Sequence, residues 1–183
     1  IGLPISKLIC GSNQNDILTR FFNNGSMERK NVLPSYSPSM DIQVSSNFER
    51  LLYEINDRDT NKVKQQMKDF KKNGNFEITK NQLVKVNELF TAHMVSDEET
   101  LEIIKKVYED FNYILDPHSA IGYGAAQKAL NNKIISENTP IVSLACAHPA
   151  KFPEIINKSI NIMPKNPLNL ETIMNSKEYF EIM

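Results

Sequence analysis

The sequence has little cysteine, almost no imbalance of charge and no long hydrophobic run, and each shortage removes a class of protein. Only Cys10 and Cys146 are present among 183 residues. Each lies at the end of an apolar run, so a disulfide would require two strands to bring those ends together. Reduced thiols in a cytoplasmic protein are the expectation. Lys+Arg number 21 against Asp+Glu 22, a net charge of -1, which lacks the basic excess of a nucleic-acid-binding surface. The lysines do cluster at Lys62, Lys64, Lys68, Lys71 and Lys72, but among Asp57, Asp59 and Asp69 on the polar side of a predicted helix. That pattern reads as a solvated face. No apolar run approaches the roughly 20 residues that cross a bilayer. The chain opens on Ile1 rather than Met, with no signal-peptide pattern after it, so a piece of a longer protein is expected. There is no HExxH, no clustered Cys ligand set, no GxSxG and no Walker loop, so no metal is expected.

What remains is an ordinary composition, 40% hydrophobic and 23% charged, in a chain long enough for one domain with a real core. Leu8-Ile9-Cys10 predicts a short buried strand. Asn13 to Asp16 then supply caps for a helix through Ile17, Leu18, Phe21 and Phe22 that ends near Gly25. Pro34, Ser35, Ser37, Pro38 and Ser39 predict an irregular loop of the kind that lines ligand sites. Ser46-Asn47-Phe48-Glu49 reads as a capping box. Further helices are predicted from Thr60 to Asn73, from Thr79-x-x-Gln82 and from Ser96-x-x-Glu99. The segment 57–95 reads as a helical insertion beside the sheet.

The final third predicts a strand ending at Leu115, then a helix capped by Asp116 with Pro117 at its first position. Ala120, Gly122, Gly124, Ala125 and Ala126 make that helix small-faced, fit for close approach to a sheet or ligand. Residues 141–145 are nearly unbroken apolar, as in a strand covered on both faces. A helix over 150–160 and a further one from Leu170 complete the reading. The expectation is therefore an α/β fold. A mainly parallel sheet joins the runs ending at Cys10, Leu115 and Ala145, flanked by helices that start near 15, 117 and 150.

In such sheets ligands gather where strands turn into helices. Residues 11–16, 116–119 and 146–151 meet that description. Taken by residue type, Asp116 is a helix cap or an acid-base group. His118 and His148 are hydrogen-bonded loop residues or catalysts, and Cys146 is a small buried hydrophobe or a nucleophile.

Longer strings carry more. Gly2-Leu3-Pro4-Ile5, Asn15-Asp16-Ile17-Leu18, Ser37-Pro38-Ser39-Met40-Asp41-Ile42, Ser45-Ser46-Asn47-Phe48-Glu49-Arg50-Leu51-Leu52, Ser96-Asp97-Glu98-Glu99-Thr100, Tyr113-Ile114-Leu115-Asp116-Pro117-His118 and Ala147-His148-Pro149-Ala150-Lys151-Phe152 resemble, in order, the carboxyl-terminal portion of the threonine synthase family. The resemblance implies part of the large domain of a fold-type-II pyridoxal 5'-phosphate enzyme, which converts O-phospho-L-homoserine and water to L-threonine and phosphate. It implies that the Schiff-base lysine and the glycine-rich phosphate loop lie in an amino-terminal part upstream of Ile1. No catalytic residue is then expected in this chain, which should be inactive alone.

In the family a Thr before the Ala-His-Pro-Ala-Lys-Phe string hydrogen-bonds the pyridine nitrogen of the cofactor. Cys146 stands there instead, a weaker donor. By the same resemblance Asp116 and His118 lie near the ring, with Ser45, Ser46, Asn47, His118 and His148 near the substrate. Two rivals remain. One is a stand-alone, non-catalytic binding or regulatory module on the same fold. The other is a different fold-type-II enzyme such as a dehydratase, against which the 45–52 and 147–152 strings argue.

Overall fold

The computed structural model describes residues 2–168, 173 and 176–181. The helix read from Leu170 lies outside them. At the centre, strand β1 (Leu8–Ser12) lies parallel to β4 (Phe90–Met94), with Leu8 opposite Phe90 and Ser12 opposite Met94. A parallel pair needs a long crossover. Here it consists of α1 (Ile17–Asn24), β2 (Ser26–Glu28), α2 (Phe48–Ile55), α3 (Thr60–Asn73), β3 (Asn75–Glu77) and α4 (Lys80–Leu89). β2 and β3 form a separate antiparallel pair. After β4 come α5 (Asp97–Phe111), α6 (Pro117–Asn131) and α7 (Pro153–Ile160). The class is α/β, as the apolar pattern predicts.

Local signals held where the determinant lies within one turn. Gly25 and Gly74 end α1 and α3 at φ 80 and 77, a left-handed conformation that suits glycine. Thr79 with Gln82 and Ser96 with Glu99 form reciprocal capping boxes. Asp116 caps α6 by accepting from the His118 N–H. The lysines of α3 are exposed. Ser46 does not cap: α2 starts at Phe48 after Asn47, which is already in helical conformation, and neither side chain bonds the first turn.

Two regions depart from the expected sheet. Segment 57–95 is not wholly helical: it contains β3, and its last strand, β4, is the direct partner of β1, so the segment completes the sheet. Residues 113–115 and 141–145 are not strands among the described residues. A strand exists through its neighbours' hydrogen bonds, and these apolar stretches have none. Val142 is 87% and Leu144 75% exposed. The predicted helix at 150 also divides. Pro149–Lys151 form a single 3-10 turn, and α7 starts afresh with Pro153 at its first position.

Two cores flank the parallel pair. Phe21, Phe22, Phe48, Leu52, Phe70 and Phe76 fill the larger, with Phe21 edge-on to Phe48 at 4.6 Å and Phe22 stacked on Phe90 at 5.3 Å, both favourable ring geometries. The smaller joins Ile104 of α5, Ala120 of α6 and Ile156 of α7. The small face of α6 lies directly on β1. A Cβ at Gly11 would come within 3.0 Å of the Ile121 carbonyl, and one at Gly124 within 2.5 Å of Ile103 Cδ1. That contact brings the amino end of α6 beside the carboxyl end of β1. No helix among the described residues is long and apolar enough to cross a membrane.

The two serine positions offer a contrast. Ser96→Ala should lower unfolding free energy by about 1 kcal/mol, the usual loss for an N-cap, whereas Ser46→Ala should change it by only a few tenths. Urea titration of both variants checks this. Equal losses would mean that Ser46 caps α2 after all.

Candidate functional site

The carboxyl end of β1 runs into a buried polar lattice. Asn13, 1% exposed, donates through Nδ2 to Ser35 Oγ and Asp41 Oδ1, each at 2.7 Å, and to Ser37 Oγ at 2.9 Å. Asn15 pairs with Leu33 as a strand would: its Nδ2 donates to the Leu33 carbonyl and its Oδ1 accepts the Leu33 N–H, both at 2.8 Å. These bonds hold loop 33–41 against the end of β1 and satisfy side chains that would otherwise be costly to bury.

A second lattice is centred on Asp116, also 1% exposed. Its Oδ1 accepts the His118 backbone N–H at 2.9 Å and approaches His118 Nδ1 at 3.0 Å. Its Oδ2 accepts the Ser119 hydroxyl and, at 3.2 Å, the Ala147 N–H. Ser119 Oγ in turn accepts the Cys146 N–H at 2.9 Å. The far nitrogen of His118, Nε2, accepts the Ser39 N–H at 3.3 Å, which assigns the ring hydrogen to Nδ1 and makes Asp116 its acceptor. Phe152 lies on the same imidazole, ring centres 4.9 Å apart. The two lattices therefore meet at Ser39, through His118.

Beside the start of α6 opens a cavity of about 320 Å³, lined among others by Ile114, Asp116, Ser119, Ala147, His148 and Lys165. Its size falls within the range of small-molecule sites. His148 is exposed, and its Nδ1 accepts the Ala150 N–H at 3.1 Å as cap of the 149–151 turn. Cys146 is exposed and unpaired, its Sγ 3.5 Å from the Leu144 carbonyl. Cys10 differs: burial pushes its thiol pKa up, which leaves it a poorer nucleophile.

Asp116, His118, Cys146 and His148 thus come together at one corner. Both oxygens of Asp116 are occupied from within, so it braces the corner and offers a ligand no free carboxylate. Ser45, Ser46 and Asn47 stand apart: no hydrogen bond joins them to the Asp116 cluster among the described residues, and Ser46 and Asn47 are exposed. Sequence reasoning included Ser119 only within the 116–119 stretch and Ser39 only within a loop, and gave neither a role of its own. Ser119 has one local signal, three residues after a capping Asp, but its partner lies 27 residues away. His93, on β4, was also not singled out. Its Nε2 is buried without a partner, and burial and then the Lys128 ammonium hold the ring below the usual imidazole range.

With this geometry in place, comparison with known proteins is informative. The family described as threonine synthase, C-terminal, matches residues 119–183. Threonine synthase of Pseudomonas aeruginosa is 40% identical over 179 residues, covering 97% of this chain and 37% of the relative. The Saccharomyces cerevisiae enzyme is 37% identical over 208 residues, covering 99% and 40%. Among solved structures, a PLP-bound threonine synthase from Brucella melitensis superposes with a TM-score of 0.92 at 41% identity, over 100% of this chain and 38% of that one. The yeast enzyme follows at 0.86 and 36%, over 97% and 39%. The chain spans well under half the length of these relatives. On this evidence the chain is similar, along nearly its whole length, to the carboxyl-terminal part of threonine synthases.

Proposed function

We propose that this chain is the carboxyl-terminal part of an enzyme that uses pyridoxal 5'-phosphate to convert O-phospho-L-homoserine and water to L-threonine and phosphate. The observation that carries the reading is the exposed thiol of Cys146, at the position where the family places the partner of the cofactor's ring nitrogen. The exposed apolar stretch before it, with Val142 and Leu144 bare, supports a chain whose remaining part covers this edge. The unpaired thiols of Cys10 and Cys146 support a reducing compartment, the cytoplasm.

The residues present fit the ring end of the cofactor. The donor set is neutral: a thiol faces solvent, while the one nearby carboxylate, Asp116, has both oxygens engaged by four donors. A neutral donor suits an unprotonated pyridine nitrogen, whereas a free carboxylate would favour a protonated one. When bound, the cofactor supplies the electron sink for carbanion chemistry. Cys146 would hold the ring nitrogen, and Asp116 and Ser119 fix the backbone that carries it. Ser45, Ser46 and Asn47 are the candidates for substrate contact. The Ser46 hydroxyl, uncommitted to a cap, is free to donate to an anionic substrate. His148, on the cavity wall, is a further candidate.

Two outcomes test the reading. The chain alone, mixed with pyridoxal phosphate and O-phosphohomoserine, should release no phosphate above background, because the resemblance puts the lysine and phosphate loop outside it. Clear turnover would establish a self-sufficient enzyme. In the whole protein, Cys146→Thr should hold cofactor as tightly as the parent or tighter, since a hydroxyl is the better donor. Cys146→Ala should weaken retention by about 0.5–1.5 kcal/mol, the worth of one neutral hydrogen bond. Equilibrium titration of apo protein with cofactor measures both, and unchanged affinity in both variants would remove Cys146 from the site.

A further inference from the structure

We propose that Ser119 is a positioning residue, whose hydroxyl clamps the backbone of Cys146 and thereby aims the thiol at the cofactor ring. The inference rests on the reading of Cys146 given above. Its basis is how the backbone of that segment is bonded. Over residues 140–147, among the described residues, only three hydrogen bonds form: Cys146 N–H to Ser119 Oγ at 2.9 Å, Ala147 N–H to Asp116 Oδ2 at 3.2 Å, and the thiol's own weak contact with the Leu144 carbonyl at 3.5 Å. The stretch belongs to no sheet, and Val142 and Leu144 project into solvent. A thiol is a poor donor, so its contact with Leu144 cannot set its direction. The two clamped amides fix the backbone from which the thiol projects.

The polarity of the clamp is fixed by chemistry. Asp116 is an acceptor only, so Ser119 must donate to it, which turns a hydroxyl lone pair toward the Cys146 N–H. Asp116 is itself held in place by the His118 amide and ring. Ser119 is 3% exposed, so water does not readily replace its hydroxyl. Without that hydroxyl, Cys146 N–H loses its partner among the described residues and Asp116 loses one of four donors. Of the two amide ties, the one at Ala147 then remains.

The test uses the full-length protein, with two readouts. One is the alkylation rate of Cys146 by iodoacetamide in cofactor-free protein, read by mass spectrometry with Cys10 as internal reference. The other is cofactor affinity by titration. Ser119→Ala should speed alkylation of Cys146 relative to Cys10 and weaken cofactor binding, each about 3- to 10-fold, the range set by one hydrogen bond. Ser119→Thr keeps the hydroxyl and should restore both. In a Cys146→Ala background, Ser119→Ala should add little further loss of affinity, because the group it aims is gone. Equal acceleration at Cys10 and Cys146 would signal general loosening and overturn the proposal. So would unchanged alkylation and affinity in Ser119→Ala alongside weakened binding in Cys146→Ala. If Cys146→Ala keeps full affinity while Ser119→Ala still exposes Cys146, the cofactor contact is overturned and the clamp alone stands.

Discussion

The carboxylate of Asp116 is the constraint on which this corner of the protein depends. A buried charge is tolerated only when its lone pairs are engaged, and Asp116 engages four hydrogens from three residues, His118, Ser119 and Ala147. Those donors belong to two segments far apart in sequence, the first turn of α6 and the 146–148 turn. Through His118 Nε2 a third segment, at Ser39, joins them. One side chain therefore determines where helix, loop and turn meet. The close seat of α6 on Gly11 determines where that meeting point lies relative to the sheet.

How much of this could be read from the sequence follows from the range of each interaction. Caps and terminating glycines act within a turn, and Thr79, Ser96, Asp116, Gly25 and Gly74 all behave as their local chemistry requires. Ser46 shows the limit: the Ser-x-x-Glu spacing is present, but the chain enters α2 from Asn47 in helical conformation, so no hydroxyl reaches the first turn. Strand assignment depended on partners the sequence does not name. Phe90 to Met94 closes a region rich in helical signals, yet it pairs with β1 along its whole length. Residues 141–145 have the apolar pattern of a buried strand but pair with no strand among the described residues.

The site was legible in part for the same reason. Asp116, His118, Cys146 and His148 occupy the ends of apolar runs, a position that sequence can mark. Their division of labour could not be marked. Asp116 looks like a possible ligand group until its four donors are counted. Ser119 looks like an ordinary helical serine until its hydroxyl is found turned toward a residue 27 positions on.

The clamp also bears on which residues position 146 can carry. Ser119 and Asp116 hold residues 146 and 147 by their N–H groups, which every residue but proline supplies. Exchange between Thr and Cys therefore leaves the backbone tether intact and alters only the group offered to the ligand. A site braced through side chains at position 146 would lose its geometry with each substitution. Braced through the backbone, it separates placement from chemistry, so the side chain at 146 can change while its position stays constant.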